Sequence, residues 1–236
     1  MKKYKLTTET LQFAGRTLHR IKAVKDFDSI KAGEFGGWIE NEKNLSQDDN
    51  AWIYGDAMVF DNAKIFGNAE VYGNANVSGN ANVSDYAKVY GNANVFGNAK
   101  IFGNAEVYGN ANVFGYAEVY GNANVSDYAN VSGNAEVYGN ANVSDYAKVY
   151  GNAAIKGDAK VHDAVDYIVF KNFWSSGRYF TWTSSNNKWS VGCFYGTGEE
   201  LIKKAYADSE KSGREYERVV RYVESILADE KKEKSN

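Results

Sequence analysis

Proline is absent from the 236 residues, cysteine occurs once and histidine twice. Without proline, no loop is stiffened by a fixed φ. A single thiol, Cys193, excludes an intrachain disulfide and fits a reducing compartment. One cysteine and two distant histidines, His19 and His162, leave no metal cluster with plausible ligand spacing. No Gly-x-x-x-x-Gly-Lys-Ser/Thr phosphate loop is present, and no apolar run reaches membrane-spanning length. The opening Met1-Lys-Lys-Tyr-Lys-Leu-Thr-Thr-Glu lacks the apolar core of a signal peptide. Charge of one sign is also missing. The net charge is −3, and residues 51–162 carry six basic and ten acidic side chains. No region is basic enough to bind nucleic acid by charge. Imitation of DNA fails on magnitude: some 30 Å of stacked strands would have to match about 18 phosphates.

What is present is a repeat. Val or Ile returns at every sixth position from Ile53 through Val59, Ile65, Val71 and Val77 to Val149, Ile155 and Val161. Alanine follows four residues later, as at Ala57, Ala63, Ala69 and Ala75. So short a period predicts a solenoid of stacked turns. Within Ala-x-Val-y, apolar and other residues alternate as in a short half-buried strand. Gly-Asn supplies the turn, because both residues tolerate positive φ. Strands of about four residues bury little alone; stacked in parallel they bury a continuous Val and Ala column.

These phrases resemble the hexapeptide-repeat, left-handed β-helix proteins. In that family three hexads form a triangular coil, an aliphatic residue fills each face and a small residue sits near each corner. Val-Tyr-Gly-Asn-Ala-Asn matches the pattern over about half the chain. It departs in placing Tyr, Phe or Ser where many members have Gly after the aliphatic residue. The left-handed sense is implied by the resemblance alone. Coils of three hexads would stack residues eighteen apart. Tyr54, Tyr72, Tyr90 and Tyr108 then form an aromatic ladder; Asn76, Asn94, Asn112 and Asn130 form a second column on another face, and Glu70, Lys88 and Glu106 a third. Such ladders stabilise stacks.

Residues 1–50 read as an N-terminal cap. Leu11–Ala14 and Thr17–Val24 flank Ala14-Gly15-Arg16 as a β-hairpin, and Ile39, Leu45 and Ala51 look like an imperfect first coil in the register of the later alanines. The stretch from Lys5 to Phe27, with Gly36-Gly-Trp-Ile-Glu40 and Glu42-Lys-Asn-Leu-Ser46, resembles the start of hexapeptide-repeat proteins of bacteriophages and prophages. That resemblance implies a phage or prophage origin and a bacterial host cytoplasm.

Residues 163–236 read as a separate α+β unit. A three-stranded meander is expected over Tyr167–Phe170, Arg178–Thr183 and Lys188–Tyr195, followed by two helices. Thr197-Gly-Glu-Glu200 reads as a capping box opening the first, and Ser212-Gly-Arg-Glu215 as one opening the second. Tyr216, Val219, Val220, Val223, Ile226 and Leu227 give the second helix an apolar face, and Asp229–Asn236 reads as a frayed charged end. Alternation lets only part of the aromatic complement face the helices, so Trp174, Arg178, Tyr179, Trp182 and Trp189 are candidate binding residues.

Chemistry is sparse. Many β-helix relatives are acyltransferases whose catalytic histidine works as a general base in a cleft. Here no loop interrupts the hexads from Ala51 to Val161, and His162, in the outward position of the last coil, reads as a surface side chain. The expectation is therefore a mostly β, non-enzymatic protein without a cofactor. Its rigid solenoid would present a C-terminal recognition or oligomerisation unit to a host protein such as a defence factor, with no membrane or nucleic-acid partner. The alternatives are an acyltransferase-like enzyme based on His162, a structural virion part, and a small-molecule or nucleotide binder.

Overall fold

In the computed structural model, which describes residues 2–233, the repeat forms nineteen two-residue strands from Trp52–Ile53 to Lys160–Val161. Each pairs in parallel with the strand eighteen residues away: Val89 with Val107, Val95 with Val113, Ile101 with Val119. The coils close three parallel sheets into a solenoid of about seven turns, with every repeat Val, Ile and Ala buried. One residue of each pair faces in and the other out, as the pleat requires.

The turns are held tightly. Gly97 has φ +74°, and a Cβ there would lie 2.9 Å from the nitrogen of Gly115 in the next coil. Four turns use aspartate instead, at Asp61, Asp85, Asp127 and Asp145, all with positive φ. Aspartate tolerates this conformation better than most residues. It also gains a bond: Asp85 Oδ2 accepts from Gly103 N at 3.0 Å and Asp61 Oδ2 from Gly79 N at 3.1 Å. The following asparagines form ladders of their own, such as Asn62 to Asn80 to Asn98.

At the N-terminal end, β1 (Tyr4–Phe13) and β2 (Arg16–Ala23) form the expected hairpin, and β3 (Phe35–Ile39) joins it to the Met58–Val59 rung. The hairpin thus continues one solenoid sheet. The first coil has no predecessor to satisfy its outer carbonyls. Lys3 and Tyr4 do so. Lys3 Nζ donates to the carbonyls of Asp49 and Ala51, both at 2.8 Å, and Tyr4 Oη donates to those of Leu45 and Glu42 at 2.8 and 3.1 Å. Burial lowers the Lys3 pKa to about 8 despite the nearby Asp49 carboxylate. The register of the first coil differs from the expected one. Ile39 pairs with Val59 and Leu45 bridges to Ile65, so both occupy the valine place rather than the alanine place. The segment between Leu45 and Ile53 is two residues longer than later hexads, which shifts the register.

The aromatic ladder stacks as expected: Tyr72 on Tyr90 at 4.7 Å and Tyr90 on Tyr108 at 4.9 Å between ring centroids, with Tyr54 edge-on to Tyr72. The Glu70, Lys88 and Glu106 column shares its sheet, one pleat away. Tyr90 Oη donates to Glu106 at 2.8 Å and Tyr54 Oη to Glu70 at 3.3 Å. Burial, then the Glu70 charge, pushes the Tyr54 pKa up to about 12, and burial with the Glu106 bond raises Tyr90 as well.

The chain divides into two compact units between Ala164 and Val165. The second contains β4 (Tyr167–Lys171), β5 (Tyr179–Thr183), β6 (Lys188–Val191) and β7 (Phe194–Gly196) in one antiparallel sheet, then α1 (Gly198–Asp208) and α2 (Glu210–Glu233). The expected three-strand meander has four strands, because Gly192, at φ +57°, folds Lys188–Tyr195 into a tight hairpin pairing Val191 with Phe194. Thr197 and Glu200 form the expected capping box of α1. The second box does not form. Ser209 alone separates the helices and accepts from Ser212 N at 3.1 Å, so Ser212 and Gly213 lie inside α2. Gly213 is needed there because a Cβ would come within 2.2 Å of the Tyr206 ring. Of the charged end, Lys234–Asn236 lies outside the described residues. No described helix is long and apolar enough to cross a membrane.

Two measurements test this account. Gly97→Val should cost about 2 kcal/mol or more in chemical unfolding, whereas Gly97→Asp should cost less than about half of that, since Asp85 already fits such a turn; equal losses would refute the reading. In alkali, the Tyr54 hydroxyl stays protonated in the folded state after unfolded tyrosine has ionised. Its stabilising contribution is therefore complete below pH 10 and lost as pH rises toward about 12. Glu70→Gln should shift this ionisation to lower pH in an ultraviolet titration, and an unchanged curve would show that Glu70 does not act on Tyr54.

Candidate functional site at the last coil

The tyrosine column changes character as it ascends. Above Tyr108 the same outward position holds Ser126, Ser144 and His162. Serine is too short to fill the space of a tyrosine ring, and Ser126 and Ser144 are buried. His162, on the last rung, reaches back to the coil beneath. Its Nδ1 lies 2.8 Å from Ser144 Oγ and 2.9 Å from Asp145 Oδ2. Ser144 Oγ also approaches Asp145 Oδ2, at 3.4 Å.

This network assigns the tautomer. An ionised carboxylate only accepts, so the hydrogen belongs to Nδ1, shared between Asp145 and Ser144, and the Ser144 hydroxyl can turn toward the carboxylate. With the hydrogen on Nδ1, Nε2 is the ring nitrogen that carries the acceptor lone pair. The histidine and aspartate side chains are about half exposed, at 50% and 60%, so dissolved molecules can reach the pair. Asp145 is held by its turn: its φ is +56°, and the same Ser-Asp-Tyr phrase one coil below places Asp127 at +57° with Ser126 Oγ donating to its carboxylate at 2.9 Å. The exposed rings of Tyr128 and Tyr146, which follow these aspartates, stack at 5.3 Å. The sequence alone read His162 as a surface side chain and made it a general base only in the acyltransferase alternative. The stacking rule already aligned it with Ser144, eighteen residues earlier, which was the signal available.

The five candidate binding residues of the C-terminal unit separate into different environments. Trp182 and Trp189 are a cross-strand pair packed in the core with Phe180, Leu201, Tyr216 and Val220. They are removed from the binding set because their rings cover the helices. Arg178 lies along Gly192, within 3.6 Å of where a Cβ would stand. Tyr179 is half-buried, with Lys171 Nζ over its ring at 5.2 Å. Only Trp174 is an exposed tryptophan, and it lines a cavity with Phe170, Glu215, Arg218, Val219 and Tyr222. Four of those residues sit on one face of α2 at spacings of three, four and seven; the apolar face read from the sequence includes only Val219 among them.

No family model matches the chain. Over 62 residues it is 39% identical to a protein of Escherichia coli (strain K12) named uncharacterized acetyltransferase YdcK, a match covering 23% of this chain and 19% of that protein. The chain thus spans about a fifth of that relative's length. This likeness overturns the expectation of a non-enzymatic protein, which rested on uninterrupted hexads and few histidines: the protein it resembles over those 62 residues is named as an acetyltransferase.

Proposed function

We propose that the chain is an acyltransferase-like hexapeptide-repeat protein, with His162 as the general base. The observation that carries this reading is the Nδ1 contact of His162 with Asp145 and Ser144, which orients an accessible imidazole on a rigid coil. The likeness to a protein named as an acetyltransferase supports the choice of reaction. The donor would be an acetyl thioester and the acceptor a small molecule with a hydroxyl or amine. His162 Nε2 takes the acceptor's proton as its oxygen or nitrogen attacks the thioester carbonyl carbon. The carbon–sulfur bond then breaks, and the proton passes from the imidazolium to the departing sulfur. Asp145 keeps the hydrogen on Nδ1 and stabilises the imidazolium; Ser144 fixes the plane of the ring. The finer expectations of a phage or prophage origin and a host-protein target stay with the N-terminal phrases that suggested them.

The test is thioester turnover, followed chromatographically so that the exposed Cys193 thiol does not interfere. With acetyl-CoA and a panel of hydroxyl and amine acceptors, the native chain should form acetylated product. His162→Ala should lower the rate by a factor on the order of 10² or more, and Asp145→Asn by less, with unchanged circular dichroism. A native rate equal to that of His162→Ala, or no product with any acceptor, would remove the proposal.

A further inference from the structure

The cavity of the C-terminal unit lies between β4 and α2, has a volume of about 480 Å³ and takes no part in the chemistry at the last coil. Phe170 and Tyr222 meet edge to face at 5.9 Å, Val219 adds an aliphatic surface and Trp174 supplies another wall. Trp174 is 64% exposed and Tyr222 56%. The segment bearing Trp174 is nonetheless braced from below. Asn172, itself buried, accepts from Trp174 N at 3.0 Å and Ser175 N at 3.1 Å, and donates to Ser175 Oγ at 2.8 Å. A buried polar side chain is thus committed to fixing the backbone of an exposed ring. Mostly apolar cavities of this size with a few convergent polar groups are the usual form of small-ligand sites.

The charges select the ligand. Glu215 is 19% exposed and receives a bond from Arg218 at 2.7 Å, which neutralises it. Arg218 is 71% exposed, and its planar guanidinium has five donors, of which this contact uses one. The pair is electrically neutral as a whole, but the remaining guanidinium donors stand open at the rim as a planar fork, a geometry suited to a carboxylate. The aromatic walls suit a planar ring through edge and face contacts. We infer that this cavity is a binding site for a small aromatic carboxylate, its ring against Trp174, Phe170 and Tyr222 and its carboxylate on Arg218.

Naphthoate is a suitable probe, compared with naphthylmethylamine and naphthalenemethanol by calorimetric titration of the full chain. Naphthoate should bind at least tenfold more tightly than either analogue and quench tryptophan fluorescence. Arg218→Gln should weaken naphthoate roughly tenfold while leaving the alcohol unchanged, and Trp174→Ala should weaken all of them. Both side chains are exposed, and unchanged circular dichroism would confirm that the variants fold. Equal binding of acid and amine, an Arg218→Gln variant with native affinity, or no naphthoate binding at millimolar concentration would overturn the assignment. Acetyl transfer at His162 is measured separately, so either idea can fail without the other.

Discussion

The parallel backbone hydrogen bond between successive coils, from an amide to the carbonyl seventeen residues further on, governs the first unit. Asn94 N to the Ala111 carbonyl and Phe96 N to the Val113 carbonyl, at 2.9 and 3.0 Å, are two members of a set repeated around and along the solenoid. Strands of two residues have no stability alone, so each coil depends on its neighbours. The same bond places each side chain above the one eighteen positions earlier, at roughly the inter-strand distance of 4.7–4.9 Å. That distance also suits stacked aromatic rings and amide ladders. Tyrosine therefore meets tyrosine and asparagine meets asparagine because the backbone has already set their separation.

A structure made of neighbour contacts has difficulty at its ends. The first coil has carbonyls facing away from the second, and a donor must be brought to each of them. Lys3 and Tyr4 supply donors from a hairpin that also extends one sheet, so one element covers both backbone and apolar surface. The desolvation that depresses the Lys3 pKa indicates that an ammonium group there is costly. Its bonds to two carbonyls offset part of that cost. An apolar residue in its place would leave those carbonyls unmet, and the penalty for an unsatisfied buried acceptor is of comparable size.

Legibility in the sequence followed how local the determining contacts were. The repeat was plain because one six-residue rule is restated nineteen times, and the hairpin was plain because Gly15, which takes positive φ without a Cβ penalty, lies between two strand-like runs. The Ser212-Gly213 phrase misled because Ser-x-x-Glu satisfies a capping rule, while the reason for Gly213 is a ring seven residues earlier on another helix. Trp182 and Trp189 misled because aromatic content cannot say which face of a strand receives the helices. Leu45 was assigned to the wrong column because two extra residues in one turn reset a count that otherwise never slips.

His162 shows why chemistry was harder to see than architecture. A histidine has no distinctive function until its partners are fixed, and these are not adjacent to it in sequence. Asp145 and Ser144 belong to the preceding coil, and their positions depend on every intervening hexad having its full length. One residue inserted between Ser144 and His162 would move the imidazole to the inward side of the strand or force the extra residue into a turn. Either change would separate Nδ1 from the carboxylate. The repeat thus does more than support the site: its constant period is what makes residues seventeen and eighteen positions apart into neighbours. Within a coil, substitutions that preserve length disturb the His162–Asp145 contact only by touching it, whereas any change of length disturbs it through register. The same constraint explains how a chain with so few reactive side chains can still hold an imidazole against a carboxylate: the backbone bond supplies the positional information that a folded loop or bound metal provides elsewhere.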